Sequence, residues 1–169
     1  MPTSSLRFRF QQRFHVPARA AFAWCTDFSP EDAAYFRGTQ RRKVEKLAEG
    51  TLIMTDTSVI KGKKLAISRL VRIDPDEMAW TNTHLNGPYK YSQYWYRVVP
   101  DSPRSSHLDF EGLRLETVAR DLTAKEVRDR TEVYRRANLD QWRSVLAPAL
   151  EAELKGAKSP SPRAPSKRA

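Results

Sequence analysis

Apolar and polar positions alternate at the start of the chain, where Leu6, Phe8 and Phe10 are separated by Arg7, Arg9 and Gln11. A period of two predicts a strand over Leu6–Val16 with one face buried. Pro17 suits a first helical turn, and the Ala21, Phe22, Trp24 and Cys25 that follow predict a short helix over Ala18–Phe28. Ser29, Pro30, Glu31 and Asp32 form a second start signal: a capping hydroxyl, a proline without an N–H to lose, and two acids at the positive helix end. A second short helix is expected over Pro30–Phe36. After Gly38 the pattern becomes strand again, over Arg41–Ala48, Thr51–Ile60, Lys64–Asp74, Met78–Leu85, Tyr89–Val99 and Ser105–Leu115. Turn-forming residues separate them, among them Glu49-Gly50, Asp74-Pro75-Asp76 and Asn86-Gly87-Pro88. Short turns join antiparallel neighbours, so these strands and the first predict one seven-stranded antiparallel sheet.

The chain then changes period. Thr123 and Glu126 have capping-box spacing, and Val127, Thr131, Tyr134, Asn138, Trp142, Val145 and Ala149 recur every three or four residues. They predict a long helix to about Leu154 whose apolar face is buried, with a kink or a separate last turn at Pro148. An antiparallel sheet followed by one long helix is an α+β layout in which a curved sheet wraps the helix and leaves a cavity between them.

Charge changes this picture only at the end. The chain has 169 residues, 30 Lys and Arg against 20 Asp and Glu, and a formal net charge of +10. Half of that excess lies in the last fifteen residues, where Lys155, Lys158, Arg163, Lys167 and Arg168 have no acidic neighbour. Pro, Ser and Lys there cannot bury enough apolar surface to offset chain entropy. The expected division is therefore a folded domain over 1–154 and a disordered basic tail over 155–169, open to weak contact with anionic polymers or lipids. Arg41, Arg42 and Lys43, with Lys61, Lys63 and Lys64, read as solvated strand ends and a hairpin turn around Gly62, and no nucleic-acid motif accompanies them. Arg7, Arg9 and Arg13 near Ser4 and Ser5 could mimic a transit peptide, but their period of two favours the strand. The lone Cys25 rules out an intramolecular disulfide, and no run of about 18 apolar residues suggests a membrane span. A reduced cytoplasm is the expected location.

Three segments carry a family resemblance: Phe14-His15-Val16-Pro17-Ala18 leading into Phe22-Ala23-Trp24, Val71 through Met78, and Tyr96-Arg97-Val98-Val99-Pro100. Over Leu6–Leu154 the chain resembles the START-like superfamily, which includes the polyketide cyclase and SRPBCC proteins. The resemblance implies a helix-grip fold with an elongated cavity for lipids, polyketides, hormones or other apolar molecules; only some members are enzymes. On period two, Ile67, Arg69, Val71 and Ile73 share one face, as do Met78, Trp80, Asn82 and His84. Family texture places Tyr94, Tyr96 and Val98 inward, with Tyr91, Gln93 and Trp95 as the rival face. The candidate ligand-binding residues are Arg69, Trp80, Asn82, His84, Tyr94, Tyr96, Phe110, Tyr134 and Trp142. A buried Arg69 needs a partner, which could be Glu111, Asp56 or an anionic group of a ligand. His15, His84 and His107 fall on separate strands without metal-ligand spacing, and no phosphate loop or nucleophile elbow is present. No cofactor or metal is expected, and no catalytic residue is certified by a motif. The expected activity is binding of a small apolar or amphipathic molecule, with a cyclase, dehydratase or aromatase, or an interaction module using the tail, as alternatives.

Overall fold

A computed structural model describes residues 1–60 and 62–156. Seven strands form one antiparallel sheet: β1 (Thr3–Phe14), β2 (Thr39–Ala48), β3 (Thr51–Ile60), β4 (Lys63–Asp74), β5 (Ala79–His84), β6 (Gln93–Ser102) and β7 (Ser105–Thr117). Their order is β1-β7-β6-β5-β4-β3-β2, so every hairpin joins neighbours and only β1 travels, to pair with β7. Between β1 and β2 lie α1 (Ala18–Cys25) and a 3₁₀ turn (Pro30–Tyr35), whose Ser29 hydroxyl accepts from the Glu31 N–H. The strand expected over Tyr89–Val99 begins only at Gln93. Residues before it form a turn in which Tyr91 takes a left-handed φ of +69°, incompatible with a strand.

The closing helical run starts as expected: the Thr123 hydroxyl accepts from the Glu126 N–H, and the Glu126 carboxylate accepts from the Thr123 N–H. It comprises α2 (Ala124–Gln141), a π turn (Trp142–Leu146) and α3 (Ala147–Gly156). Pro148 explains the π turn. It has no N–H for the Ser144 carbonyl, and the wider turn, in which the Ala147 N–H reaches the Trp142 carbonyl, lets the chain pass the proline without a sharp break. The helix also continues to Gly156, so Lys155 and Gly156 belong to it, and Lys155 pairs with Glu151 at 3.0 Å. The rest of the tail, from 157, lies outside the described residues.

The expected burial of the helix stripe needs correction. Trp142, Leu146, Ala147 and Leu150 are buried, yet α2 contains no buried residue. Core aromatics and aliphatics from β1, β6, β7 and α1, including Phe14, Ala21, Val98 and Leu108, receive the second half of the run. Glu151 accepts from the His15 backbone N–H, and Glu153 from the Trp24 indole, which fixes α3 further. The first half instead runs along β1, and only its last residues, Ala137, Asn138 and Gln141, face a space above β2–β6.

Candidate ligand cavity

That space is a cavity of ≈570 Å³. Pleat alternation brings one face of each strand to it. Trp80 and Tyr96 pair across β5 and β6, and their rings stack at 4.7 Å and 3°. Asn82 pairs with Tyr94, and His84 pairs with Arg69 across β4 and β5. Together with Trp142 from the helix, these residues line the cavity. The rival face of β6 points outward: Trp95 lies with Arg9 and Thr81 on the convex side, and Tyr91 is outside the strand altogether.

Two candidates do not reach the cavity. Phe110 is buried behind Tyr94 and Tyr96, stacked on Phe10 at 4.4 Å, where it supports the wall. Tyr134 is drawn aside by Arg114, whose guanidinium carbon lies 3.6 Å from its ring centroid and 3.4 Å from that of Tyr89. Arg114 and Tyr89 of this sandwich line the cavity. Gly112 makes room there, since a Cβ on it would stand 2.8 Å from Phe8 Cζ and 3.1 Å from Tyr94 Cδ1.

Arg69 finds its partner in Asp56, the Nη1 donating at 2.7 Å. Glu111 instead faces Arg7, at 3.6 Å. Arg42, expected at a solvated strand end, is buried. It holds the same Asp56 carboxylate with two bonds, Nε to Oδ1 at 2.7 Å and Nη2 to Oδ2 at 3.0 Å, and covers the Phe36 ring. Two guanidiniums thus share one buried carboxylate, with Asp32 3.9 Å from Arg42. Burial alone would raise the Asp56 carboxyl, but the Arg42 hydrogen bonds and the Arg69 charge hold it below the ordinary carboxylate value.

Arg69 also fixes the state of His84. Its Nε donates to His84 Nε2 at 3.2 Å, so that nitrogen carries a lone pair and the neutral ring keeps its proton on Nδ1. Burial first, then the charges of Arg69 and Arg114, lower the His84 pKa to about 4. An NMR titration should therefore show an imidazole that stays neutral down to about pH 4; a transition near the ordinary 6.5 would mean that Arg69 does not hold it. His84 Nδ1 and Asn82 Oδ1 are buried without a hydrogen-bond partner among the described residues. Burial likewise raises the Tyr96 and Tyr94 hydroxyls, so both remain protonated donors. Cys25 borders the cavity, and burial raises its thiol far out of the nucleophilic range. Among the described residues no group of three His, Cys, Asp or Glu side chains could hold a metal ion. The side chains of the cavity can supply hydrogen bonds, orientation and exclusion of water.

Sequence reasoning missed Arg42 and Arg114. Period two carries a partial signal, since Arg42 shares a face with Val44 and Arg114 continues the series Leu108, Phe110, Gly112, whereas the pairing of Arg42 with Asp56 appears only in the folded hairpin.

Solved structures supply the comparison. The Zhui aromatase/cyclase from Streptomyces sp. R1128 superposes with a TM-score of 0.74 at 13% identity, covering 92% of this chain and 99% of that one. A START superfamily protein from Mycobacterium smegmatis gives 0.63 at 15% identity over 89% and 97% of the two chains. The chain has the START-like fold. Norcoclaurine synthase from Thalictrum flavum, solved with dopamine and hydroxybenzaldehyde, shares it at a TM-score of 0.67 and 11% identity, over 93% and 90%. No family model matches the chain, and no curated protein matches it significantly in sequence. At these identities the START-like fold is shared while residue roles are not transferred, and the cavity must be read from its own side chains.

Proposed function

We propose that the protein binds a small apolar or amphipathic molecule between the sheet and the closing helix. The observation that supports this most is the cavity itself: ≈570 Å³, walled by Trp80, Tyr94, Tyr96 and Trp142, with Asn82, His84 and Arg69 among its polar groups beside Arg42, Arg114, Asn138 and Gln141. Ligand pockets typically enclose about 300–1,000 Å³ with this balance of apolar wall and placed polar atoms. Burying ten methylenes at about 0.8 kcal/mol each gives roughly 8 kcal/mol gross, which yields micromolar binding when ordering costs are small.

Ala137 provides a test, because it is exposed on α2 yet lines the cavity. Ala137→Trp should obstruct the space without disturbing the core. Titration with the neutral fluorophore N-phenyl-1-naphthylamine should show saturable binding to the parent protein and at least a tenfold weaker affinity in the variant. Equal affinity in both would place the probe elsewhere and remove the support for this reading.

A second reading is an enzyme of the cyclase, dehydratase or aromatase kind. It is favoured by the Arg69–His84 contact at the cavity wall and by the likeness to aromatase/cyclases. With His84 neutral, such an enzyme would act chiefly by shaping a reactive chain and donating hydrogen bonds from Arg69, Tyr94 and Tyr96. Turnover lost in Arg69→Ala or His84→Phe while folding survives would favour it over simple binding.

A further inference from the structure

Most of the charged and amide groups around the cavity are matched to one another. Three guanidiniums at its wall each have a carboxylate at hand: Arg42 and Arg69 hold Asp56, with Asp32 3.9 Å from Arg42, and Arg114 donates to Glu116 at 2.8 Å. Three cations are thus balanced by three anions. Asn138 donates to the Tyr134 carbonyl and Gln141 to the Tyr35 carbonyl. Arg37 also borders the space, but it is exposed and its charge is solvated.

Two atoms on β5 stand outside this set. Asn82 and His84, 9% and 8% exposed, both line the cavity, yet Asn82 Oδ1 and His84 Nδ1 have no hydrogen-bond partner among the described residues. Their roles are opposite. The hydrogen bond between the Asn82 side chain and the Tyr96 hydroxyl does not use Oδ1, which remains an acceptor. Arg69 can only donate, so its bond to His84 Nε2 leaves the ring proton on Nδ1, which remains a donor. Leaving a buried donor or acceptor unpaired is costly, and leucine and phenylalanine would fill the same positions without that cost. Alternation puts both side chains on one face of β5, about 7 Å apart at Cα. The terminal torsions of Asn and His are soft, so a small turn brings each atom to a common guest.

We propose that this pair is a subsite for an uncharged hydroxyl group, an alcohol or a phenol, on the ligand of the cavity. A hydroxyl accepts from His84 Nδ1–H and donates to Asn82 Oδ1 through the same oxygen. A carboxylate cannot donate to Asn82, and it would have to displace Asp56, Asp32 or Glu116 to reach a guanidinium. An ether or ketone accepts but cannot donate, and an ammonium donates but cannot accept. The inference rests on the cavity being a ligand site and adds what it selects: a neutral, largely apolar molecule that carries a hydroxyl. The anionic group considered as a partner for Arg69 is already supplied by Asp56.

Competition for bound N-phenyl-1-naphthylamine at pH 7 tests it with three compounds of similar shape: 2-naphthol, which donates and accepts, 2-methoxynaphthalene, which only accepts, and 2-naphthoate, an anion. A purely apolar space would favour 2-methoxynaphthalene, the larger and more apolar of the neutral pair. Instead 2-naphthol should displace the fluorophore at about tenfold lower concentration than either of the others. Its preference over 2-methoxynaphthalene, measured within each variant, should shrink to less than about threefold in Asn82→Leu and in His84→Phe. Equal potency of the three compounds would overturn the hydroxyl subsite while leaving the cavity a binding site, and greater potency of 2-naphthoate would overturn it in favour of an anion site. A preference that survives in both variants would also overturn it, since the hydroxyl would then be recognised elsewhere. If the fluorophore itself does not bind, the binding reading fails and the subsite with it.

Discussion

Asp56→Ala should destabilise the domain by about 3–5 kcal/mol, the cost expected when one partner of a buried ion pair is removed. The structure shows why the loss is large. Arg42, with its side chain 3% exposed, takes both oxygens of Asp56 and has no other carboxylate within hydrogen-bonding distance, since Asp32 stands 3.9 Å away. Arg69 is 21% exposed and can recover some solvation through the cavity, so most of the cost falls on Arg42. Asp56→Asn, which keeps one acceptor but no charge, should fall between the parent and the alanine variant. Urea denaturation measures all three, and a change below about 1 kcal/mol in Asp56→Ala would show that the cluster is not a support of the fold.

The same cluster contributes to the acid limit of stability, beside Glu116 and Glu151, whose carboxyls are likewise held below their ordinary value. Asp56 has a folded pKa below its unfolded value of about 3.9, so its contribution is whole above that pH and disappears as pH falls through the folded value. His84 is depressed from about 6.5 to about 4, so its contribution is whole above about pH 6.5 and declines as pH falls toward 4. Stability should therefore fall in two successive steps on acidification. His84→Phe should remove the upper step and leave the lower one.

Trp142→Ala should cost about 3–5 kcal/mol and loosen the whole closing helix. Trp142 is buried at the π turn, with ring centroids 6.1 Å from Phe14 and 6.3 Å from Tyr96, and it is the first buried side chain of the helical run. The 18 residues of α2 before it rely on half-buried contacts, the Gln141 side-chain bond to the Tyr35 carbonyl, and Arg114 held between Tyr134 and Tyr89. Val127→Ala, by contrast, should cost less than about 1 kcal/mol, because it deletes surface that is only partly buried. Hydrogen exchange should separate the two halves, with α2 amides opening well before those of α3; equal protection would contradict a helix anchored at Trp142.

Strand alternation and turn chemistry made the sheet legible because each strand has one buried face, and a one-residue error would expose Phe8 or Trp80. The capping box at Thr123 was legible for a similar reason: its partners are local in sequence. Burial of α2 was not, since periodicity shows that one face is apolar without showing whether the opposite layer is packed or hollow. Arg42 was read as solvated because a run of three cations normally is; its burial depends on Asp56 across the hairpin, a pairing that local composition does not reveal. Tyr134 followed the helix stripe correctly to the inner side, but Arg114 captured its ring before it reached the cavity. Phe110 was on the predicted face and one layer too deep.

Native mass spectrometry of the gently purified protein, followed by denaturing extraction of any bound small molecule, tests the central claim most directly. The account predicts a stoichiometric apolar or amphipathic adduct that is lost in Ala137→Trp. An adduct-free protein that also leaves a lipid and polyketide panel without thermal shift would contradict it, and the cavity would then be a structural gap beneath a loosely seated helix.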